Sequence, residues 1–385
     1  IITHGLFRAA ADRLAAHRAA HNGVRVAVVD VQDIYDEFNY GHLSSEAVKL
    51  FVKQAFDAWP SPAPADILMF GDASWDFHRY MATTIMTNFV PAYGVPAGDN
   101  WYVCFDAAHP WVPSLNIGRL TVQTPEQAGR VVDKVIGYDT YTLGDWNKNF
   151  LFISGGTNDS EKLLFNGQSD ALINDVVLPA PIGGTPYRVY KATANTIDGE
   201  NRPLLRSYVK EGLVFLNFLG HSGGRIWGVD IGPITDLENT NGMLPFITSV
   251  SCNVAAFAEP SNNVLSEDFV LADNRGAVAM WASSSLGYAN IGASLVRYFL
   301  EHVRDDTARA LGAATTACRV KLWQSRGSDY ITVASMNLNP LLGDPLSSLA
   351  IPRVPDLAIT PADLIPDNAM PTPLDSTTHI RMIAH

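Results

Sequence analysis

Short apolar runs alternate along the chain with stretches whose apolar positions recur at helical spacing. This pattern predicts a mostly parallel sheet covered by helices on both faces. Helical spacing over 6–20 leads into an apolar run over 24–31, which reads as a buried strand. Ser44 or Ser45 stands where a cap belongs for a second helix that runs to about Trp59. Further strands are expected over 67–70 and 117–120, and Thr124-Pro125-Glu126 starts a helix with a cap followed by Pro. A second α/β series begins near Asn149, with strands over 150–154, 187–191, 213–219, 244–251 and 276–282. Its helices are expected over 169–177, 202–212, 289–302 and 308–324. The chain therefore divides into an N-terminal α/β subdomain, 1–145, and a second, 146–351. From Pro352 it turns Pro- and Asp-rich, with isolated strand-like runs over 356–359 and 379–384. Segment 352–385 reads either as a tail on the core or as the opening of a truncated β-sandwich (Ig-like) domain.

Composition narrows the function classes. Of 385 residues, 47% are hydrophobic and 17% charged, enough for a large core and the reverse of a disordered composition. The net charge of −12 comes without any basic stripe, so phosphate-driven nucleic-acid binding lacks its electrostatic footprint. No apolar run is long enough to span a membrane. Cys104, Cys252 and Cys318 lie far apart without CxxC spacing, which argues against a structural zinc site or a dense disulfide scaffold. Cys104 and Cys318 could pair in an oxidising compartment and leave Cys252 free. The start lacks Met and the pattern of a signal peptide, so a processed or trimmed piece of a longer precursor is expected.

Two apolar runs end in reactive residues. One leads into Gly220-His221-Ser222-Gly223-Gly224, the other into Cys252. In open α/β sheets, ligands bind beyond the carboxyl ends of the strands, so His221 and Cys252 share a functional edge if both runs lie in one sheet. A cysteine nucleophile needs a base to supply thiolate, and an imidazole does this near neutral pH. Glycines after the His let a carbonyl approach backbone N–H groups that could hold an oxyanion. The plainer reading is a core cysteine at a strand end.

Several segments in order make the chain resemble the gingipain-like family of caspase-fold cysteine peptidases, which includes the type IX secretion sortases. They are Asp33-Ile-Tyr-Asp-Glu-Phe38, Phe70-Gly-Asp-Ala-Ser-Trp-Asp76, Ile117-Gly-Arg-Leu120, Asn217-Phe-Leu-Gly-His-Ser222, Pro245-Phe-Ile-Thr-Ser-Val-Ser-Cys252, Gly276-Ala-Val-Ala279 and Gly343-Asp-Pro345. The resemblance implies a caspase-like three-layer α/β fold in two subdomains and a secreted endopeptidase, extracellular or at the cell surface. It implies Cys252 as nucleophile, His221 as general base and acid, and the Cys252 and Ser222 amides as oxyanion donors. An acid against the outer face of the His is implied at Asp159 or Glu161. An Asp eleven residues beyond Asp159, Asp170, would line a pocket for Arg or Lys, although it reads equally as a helix-terminal acid. Trp227 and Tyr288 could wall the cleft. Ser222 departs from the family, which has a second Gly there. No cofactor is required for the chemistry; structural calcium is implied, though the sequence has no EF-hand loop. The expected partners are a protein or peptide substrate and further domains of its own precursor. Transpeptidation shares the first half of the same chemistry.

Two other readings compete. Gly220-His-Ser-Gly-Gly224 matches G-x-S-x-G, which would make Ser222 the nucleophile of a serine hydrolase. The following residues to Pro233 contain two glycines and a proline where an elbow needs a helix, and the histidines further on are poorly placed. A pseudopeptidase would keep the fold as a binding or assembly module. Asp72 and Asp76 read as loop-shaping residues or ion ligands. Gly155-Gly156-Thr157-Asn158 lacks the lysine of a phosphate-binding loop.

Overall fold

The computed structural model describes residues 1–193, 197–239, 242–305, 309–352, 364–366 and 380–382. In chain order the strands are β1 (Ile2–Thr3), β2 (Val29–Asp30), β3 (Asp66–Phe70), β4 (Asn116–Leu120), β5 (Asn149–Gly155) and β6 (Thr185–Tyr190). Then come β7 (Phe215–Gly220), β8 (Ser222–Gly223), β9 (Ile226–Trp227), β10 (Phe246–Ser249), β11 (Ala279–Ala282) and β12 (Leu341–Leu342). The helices of the first half are α1 (Arg8–Asn22), α2 (Val31–Asn39), α3 (Ser45–Ala58) and α4 (Pro125–Asp139). Those of the second are α5 (Asp159–Leu172), α6 (Arg202–Glu211), α7 (Leu265–Leu271), α8 (Ala289–Asp305), α9 (Leu311–Arg326) and α10 (Tyr330–Asn337).

A single ten-stranded sheet carries the fold, in the order β2-β1-β3-β4-β12-β11-β10-β7-β5-β6. Neighbouring strands are parallel except β11 and β12. The first four strands therefore run against β5, β6, β7, β10 and β11, and β12 joins the two directions. The seam is tight: a Cβ on Gly343 would stand 2.3 Å from the Ala279 Cβ, and one on Gly118 2.4 Å from the Gly343 carbonyl oxygen. Only glycine fits at that spacing.

Strand residues alternate between two cores, which is why the central strands read as unbroken apolar runs. Phe215, Phe246 and Trp281 face Phe299 of α8, with ring centroids 6.1, 4.8 and 6.3 Å away. Leu151, Ile153, Leu216, Phe218, Ile247 and Met280 point the other way, into a core shared with Val131 and Val135 of α4, Leu205 of α6 and Phe269 of α7. Near the outer edge, β1 and β3 pack on α2 and α3 through Ile2, Ile34, Val48, Val52 and Met69.

Caps set several boundaries. Ser44 and Thr124 accept the N–H groups of Ala47 and Gln127 at the starts of α3 and α4. The strand expected over 24–31 is reduced to the half-buried β2, because it lies at the sheet edge beside only β1, and Asp30 caps α2 from Val31 onward. Asn158 caps α5, which starts ten residues before the expected 169 and ends in a π-turn over Ile173–Val177.

Residues 1–350 form one compact unit, in which both α/β halves share the sheet, and 351–385 a second. In the second unit β13 (Leu364–Pro366) pairs antiparallel with β14 (Ile380–Met382). The strand expected over 356–359 lies outside the described residues; that over 379–384 is β14 in its described part. No helix among the described residues is long and apolar enough to cross a membrane.

Candidate active site

Parallel pairing sets Phe246 beside Phe215, Ile247 beside Leu216 and Thr248 beside Asn217. His221 and Cys252 follow β7 and β10 at the same sequence offset, so continuing that register brings Cys252 opposite His221 at the carboxyl ends of both strands. On the other side of β7, Gly155 of β5 pairs with Gly220. A Cβ on Gly220 would come within 2.5 Å of the Gly155 carbonyl oxygen, so glycine lets the loop after β5 close against the His.

That loop delivers an acid. Asn158 accepts the Glu161 N–H at the start of α5. The Glu161 side chain turns back so that Oε2 accepts from the Thr157 N–H and from the Thr157 hydroxyl, each at 2.8 Å. The same oxygen stands 3.1 Å from His221 Nε2. The two Thr157 bonds, joined by His221, hold the Glu161 carboxyl down at about 2. One turn further along α5, Phe165 meets the His221 ring edge-on at 6.0 Å. With Nε2 on Glu161, Nδ1 is the ring nitrogen left for Cys252.

Cys252 is half-buried and free. The Gly287 N–H points at its Sγ from 3.4 Å. A Cβ on Gly287 would stand 2.6 Å from the Val250 carbonyl oxygen, so this amide reaches the sulfur because residue 287 is glycine. Asn253 takes a left-handed φ of 59° and donates its N–H to Ser285 at 2.7 Å, which fixes a sharp turn after the cysteine. The Ser222 hydroxyl donates to the Cys252 carbonyl at 2.8 Å. Beyond the His, β8 and β9 form a hairpin in which Gly228 donates to the His221 carbonyl. Ladder alternation then leaves Ser222 at a non-hydrogen-bonded position, with its N–H directed off β9. The first turn of α7 ties both loops together, Leu265 donating to Gly224 and Ser266 to Val254.

Other expected site residues lie elsewhere. The Asp159 side chain is 99% exposed and pairs with Lys162, because the helix start turns it away from the His; Glu161 is the acid that reaches His221. Asp170 is in the last turn of α5, where Arg188 and the Tyr190 hydroxyl bind one oxygen at 2.9 and 2.8 Å. Counting the eleven-residue step from Glu161 instead lands on Leu172, which is buried. Trp227 does not wall the cleft: it is 1% exposed, stacked on Phe218 at 4.7 Å, and donates to the Ser249 hydroxyl. Tyr288 is half-buried beside Gly287 at the head of α8.

The nucleophile elbow is absent, since the chain after Ser222 enters a hairpin instead of a helix. Cys104 and Cys318 are both buried and free, and burial pushes the Cys104 thiol up to about 12. Asp76 accepts from the Tyr80 and Met81 N–H groups and the Thr84 hydroxyl, shaping its own loop. Among the described residues no group of three or more His, Cys, Asp or Glu converges to hold a metal, so the calcium implied by resemblance finds no carboxylate cage there. Sequence reasoning missed Thr157, Phe165 and Gly287. The one available signal for Gly287 was the small-residue run Ser283-Ser284-Ser285 after β11, a place where backbone can approach a neighbouring loop closely.

Comparison with known proteins adds to this geometry. The model for peptidase family C25 matches residues 1–350. None of the curated protein sequences matches the chain. The crystal structure of the Arg-specific cysteine proteinase gingipain R (RgpB) superposes with a TM-score of 0.71 at 18% identity, covering 91% of this chain and 77% of that one. The complex of Porphyromonas gingivalis RgpB pro- and mature domains gives 0.72 at 18%, covering 93% and 81%. A further structure, described only as that of a protease, gives 0.72 at 16%, covering 96% and 82%. At these identities the structural likeness shows the fold, the caspase-like α/β arrangement of the gingipains.

Proposed function

This chain belongs to peptidase family C25, the gingipain-like cysteine peptidases, and from that premise we propose that it cleaves peptide bonds through a thioester on Cys252. The observation that carries the proposal is the shared register of β7 and β10, which with the Ser222–Cys252 hydrogen bond supports pairing of the glutamate-held histidine with the half-buried cysteine.

Each residue then has a chemical task. His221 Nδ1 takes the Sγ proton while ionised Glu161 on Nε2 offsets the positive charge gained by the ring. The Gly287 N–H donates to the sulfur and favours thiolate. Sulfur attacks the scissile carbonyl, whose developing oxyanion meets the Cys252 and Ser222 amides. His221 returns the proton to the departing amine, leaving an acyl thioester. Water, losing its proton to His221, then releases the acid and the thiol; an amine in place of water would give transpeptidation.

Cleavage after Arg or Lys stays the expectation carried by the family likeness through Asp170. Arg188 and the Tyr190 hydroxyl engage one oxygen of Asp170, a half-exposed pairing weak enough for a basic side chain to displace. By family likeness we place the enzyme outside the cell or on its surface, made as a precursor with further domains and acting on protein or peptide substrates. Structural calcium is part of the same expectation and takes no part in the chemistry above.

The test is alkylation by iodoacetamide with peptide mapping, at about pH 6 and about pH 8, on wild type and His221→Ala. Rapid labelling of Cys252 that slows at least about tenfold in the variant supports the activated pair. Equal, slow labelling of both proteins would overturn it in favour of a binding module that keeps only the fold. A fluorophosphonate adduct on Ser222 would overturn it in favour of a serine hydrolase.

A further inference from the structure

The loop that follows β11, 283–288, meets the catalytic cysteine on the side away from His221. β11 lies along one flank of β10, and β7 lies along the other. The Ser285 carbonyl accepts the Asn253 N–H at 2.7 Å, and the Gly287 N–H points at Cys252 Sγ from 3.4 Å. Leu286 stands between these two anchors and is 63% exposed. Consecutive Cα atoms are about 3.8 Å apart, so its backbone is held one residue from the donor that touches the sulfur. A single exposed leucine is ordinary on a protein surface. This one is fixed at the nucleophile from both sides, and the reaction above gives it no task.

The chemistry orients a substrate across this loop. His221 hands its proton to the departing amine, so the departing segment lies on the β7 side of Cys252. The acyl segment, which stays on the sulfur, leads away on the other side, over the loop after β11. An extended chain advances about 3.3 Å per residue, close to the step from Gly287 back to Leu286. With the attacked carbonyl at Sγ beside Gly287, the residue one step back on the acyl side comes to Leu286. Leucine offers that residue carbon, with neither a charge nor a hydrogen-bonding group. Contact there favours an apolar side chain and leaves a polar one desolvated without a partner.

We infer that Leu286 is a specificity-determining residue of this peptidase. It selects an apolar side chain, aliphatic or aromatic, on the residue immediately before the one whose carbonyl is attacked. The inference rests on the peptidase reading, and it adds a preference separate from the one expected at the cleaved residue itself.

Cleavage of a library of random-sequence peptides by the full chain, with the products sequenced by mass spectrometry, tests it. Wild type should cut sites with Leu, Ile, Val, Met or Phe at that position at least about fivefold more often than sites with Ala or Ser there. Leu286→Ala should reduce the preference below about twofold, and Leu286→Asp should turn it toward Lys and Arg. The preference at the cleaved residue should be the same in all three proteins, which separates a lost contact from a disturbed fold. No apolar preference in wild type, or one that survives Leu286→Asp, overturns the inference. The peptidase reading fails separately, by wild type leaving the library uncut while labelling of Cys252 shows no dependence on His221.

Discussion

Glu161 reaches His221 with an oxygen that Thr157 already binds twice, so it remains a carboxylate down to about pH 2. Glu161→Gln should therefore lower kcat/KM on a peptide substrate by about 10²-fold, because the imidazolium formed in the reaction loses its counter-charge. Asp159→Asn, on an exposed side chain paired only with Lys162, should leave it within about twofold. Steady-state kinetics on the two variants separate the acids. Gly287→Ala should slow alkylation of Cys252, since the added carbon strikes the Val250 carbonyl and pushes the donor off the sulfur. At this scale His221 and Cys252 were legible because each ends an apolar run. The choice between Asp159 and Glu161 was not, because it turns on where the helix starts, and a shift of two residues exchanges exposed for inward. Gly287 was hidden because its role depends on a contact with a distant strand.

Among the elements, α7 holds the site together from behind. Its first N–H groups bind the two catalytic loops, and its far end is held by Lys134 of α4, whose ammonium donates to the carbonyls of Phe269, Val270, Ala272 and Arg275. Lys134 is only 7% exposed. A cation at a helix C-terminus meets the carbonyls that lack partners within the helix. Lys134→Met should remove the donor from the Val270 and Ala272 carbonyls, the Phe269 carbonyl keeping the Ala277 N–H, and destabilise the protein by about 2–4 kcal/mol, read from the urea midpoint. Long apolar strands and helices with plain caps were legible, as with α3 and α4. The two-residue strands β1 and β12 were not, since pairing partners far along the chain define them. The early turns of α5 were also hidden: Leu163 and Leu164 are exposed there, which breaks the expected apolar spacing.

Across the whole molecule, the two α/β halves meet through buried charge as well as through the sheet. Asp72 follows β3 and Glu267 lies in α7; each is 1% exposed. Burial is the largest influence on both and raises both carboxyls, Asp72 to about 7 from 3.8, and each sits in the other's field. Gln123, the Ala73 N–H and Arg119 pull Asp72 the other way without reversing the shift, and Asp268 adds to that on Glu267. The folded state thus favours the protonated acids, so their contribution is present at low pH and is lost as pH rises through about 7. Unfolding free energy measured in urea should fall between about pH 4 and about pH 7, and Asp72→Asn should flatten that slope. The two α/β series were legible as a division near residue 145, whereas 1–350 form one compact unit. That both series complete one sheet was not, because the joining strand comes from far downstream.

That joining strand has a temporal consequence. β12 is the last strand of the large sheet to leave the ribosome, yet it occupies the middle. Until Leu341 and Leu342 are available, β4 and β11 each present an open edge, even though His221, Cys252 and Gly287 have already been made. Synthesis therefore passes through a stage in which the parts of the catalytic centre exist and the sheet is still two sticky pieces. Closure comes with a keystone only two residues long.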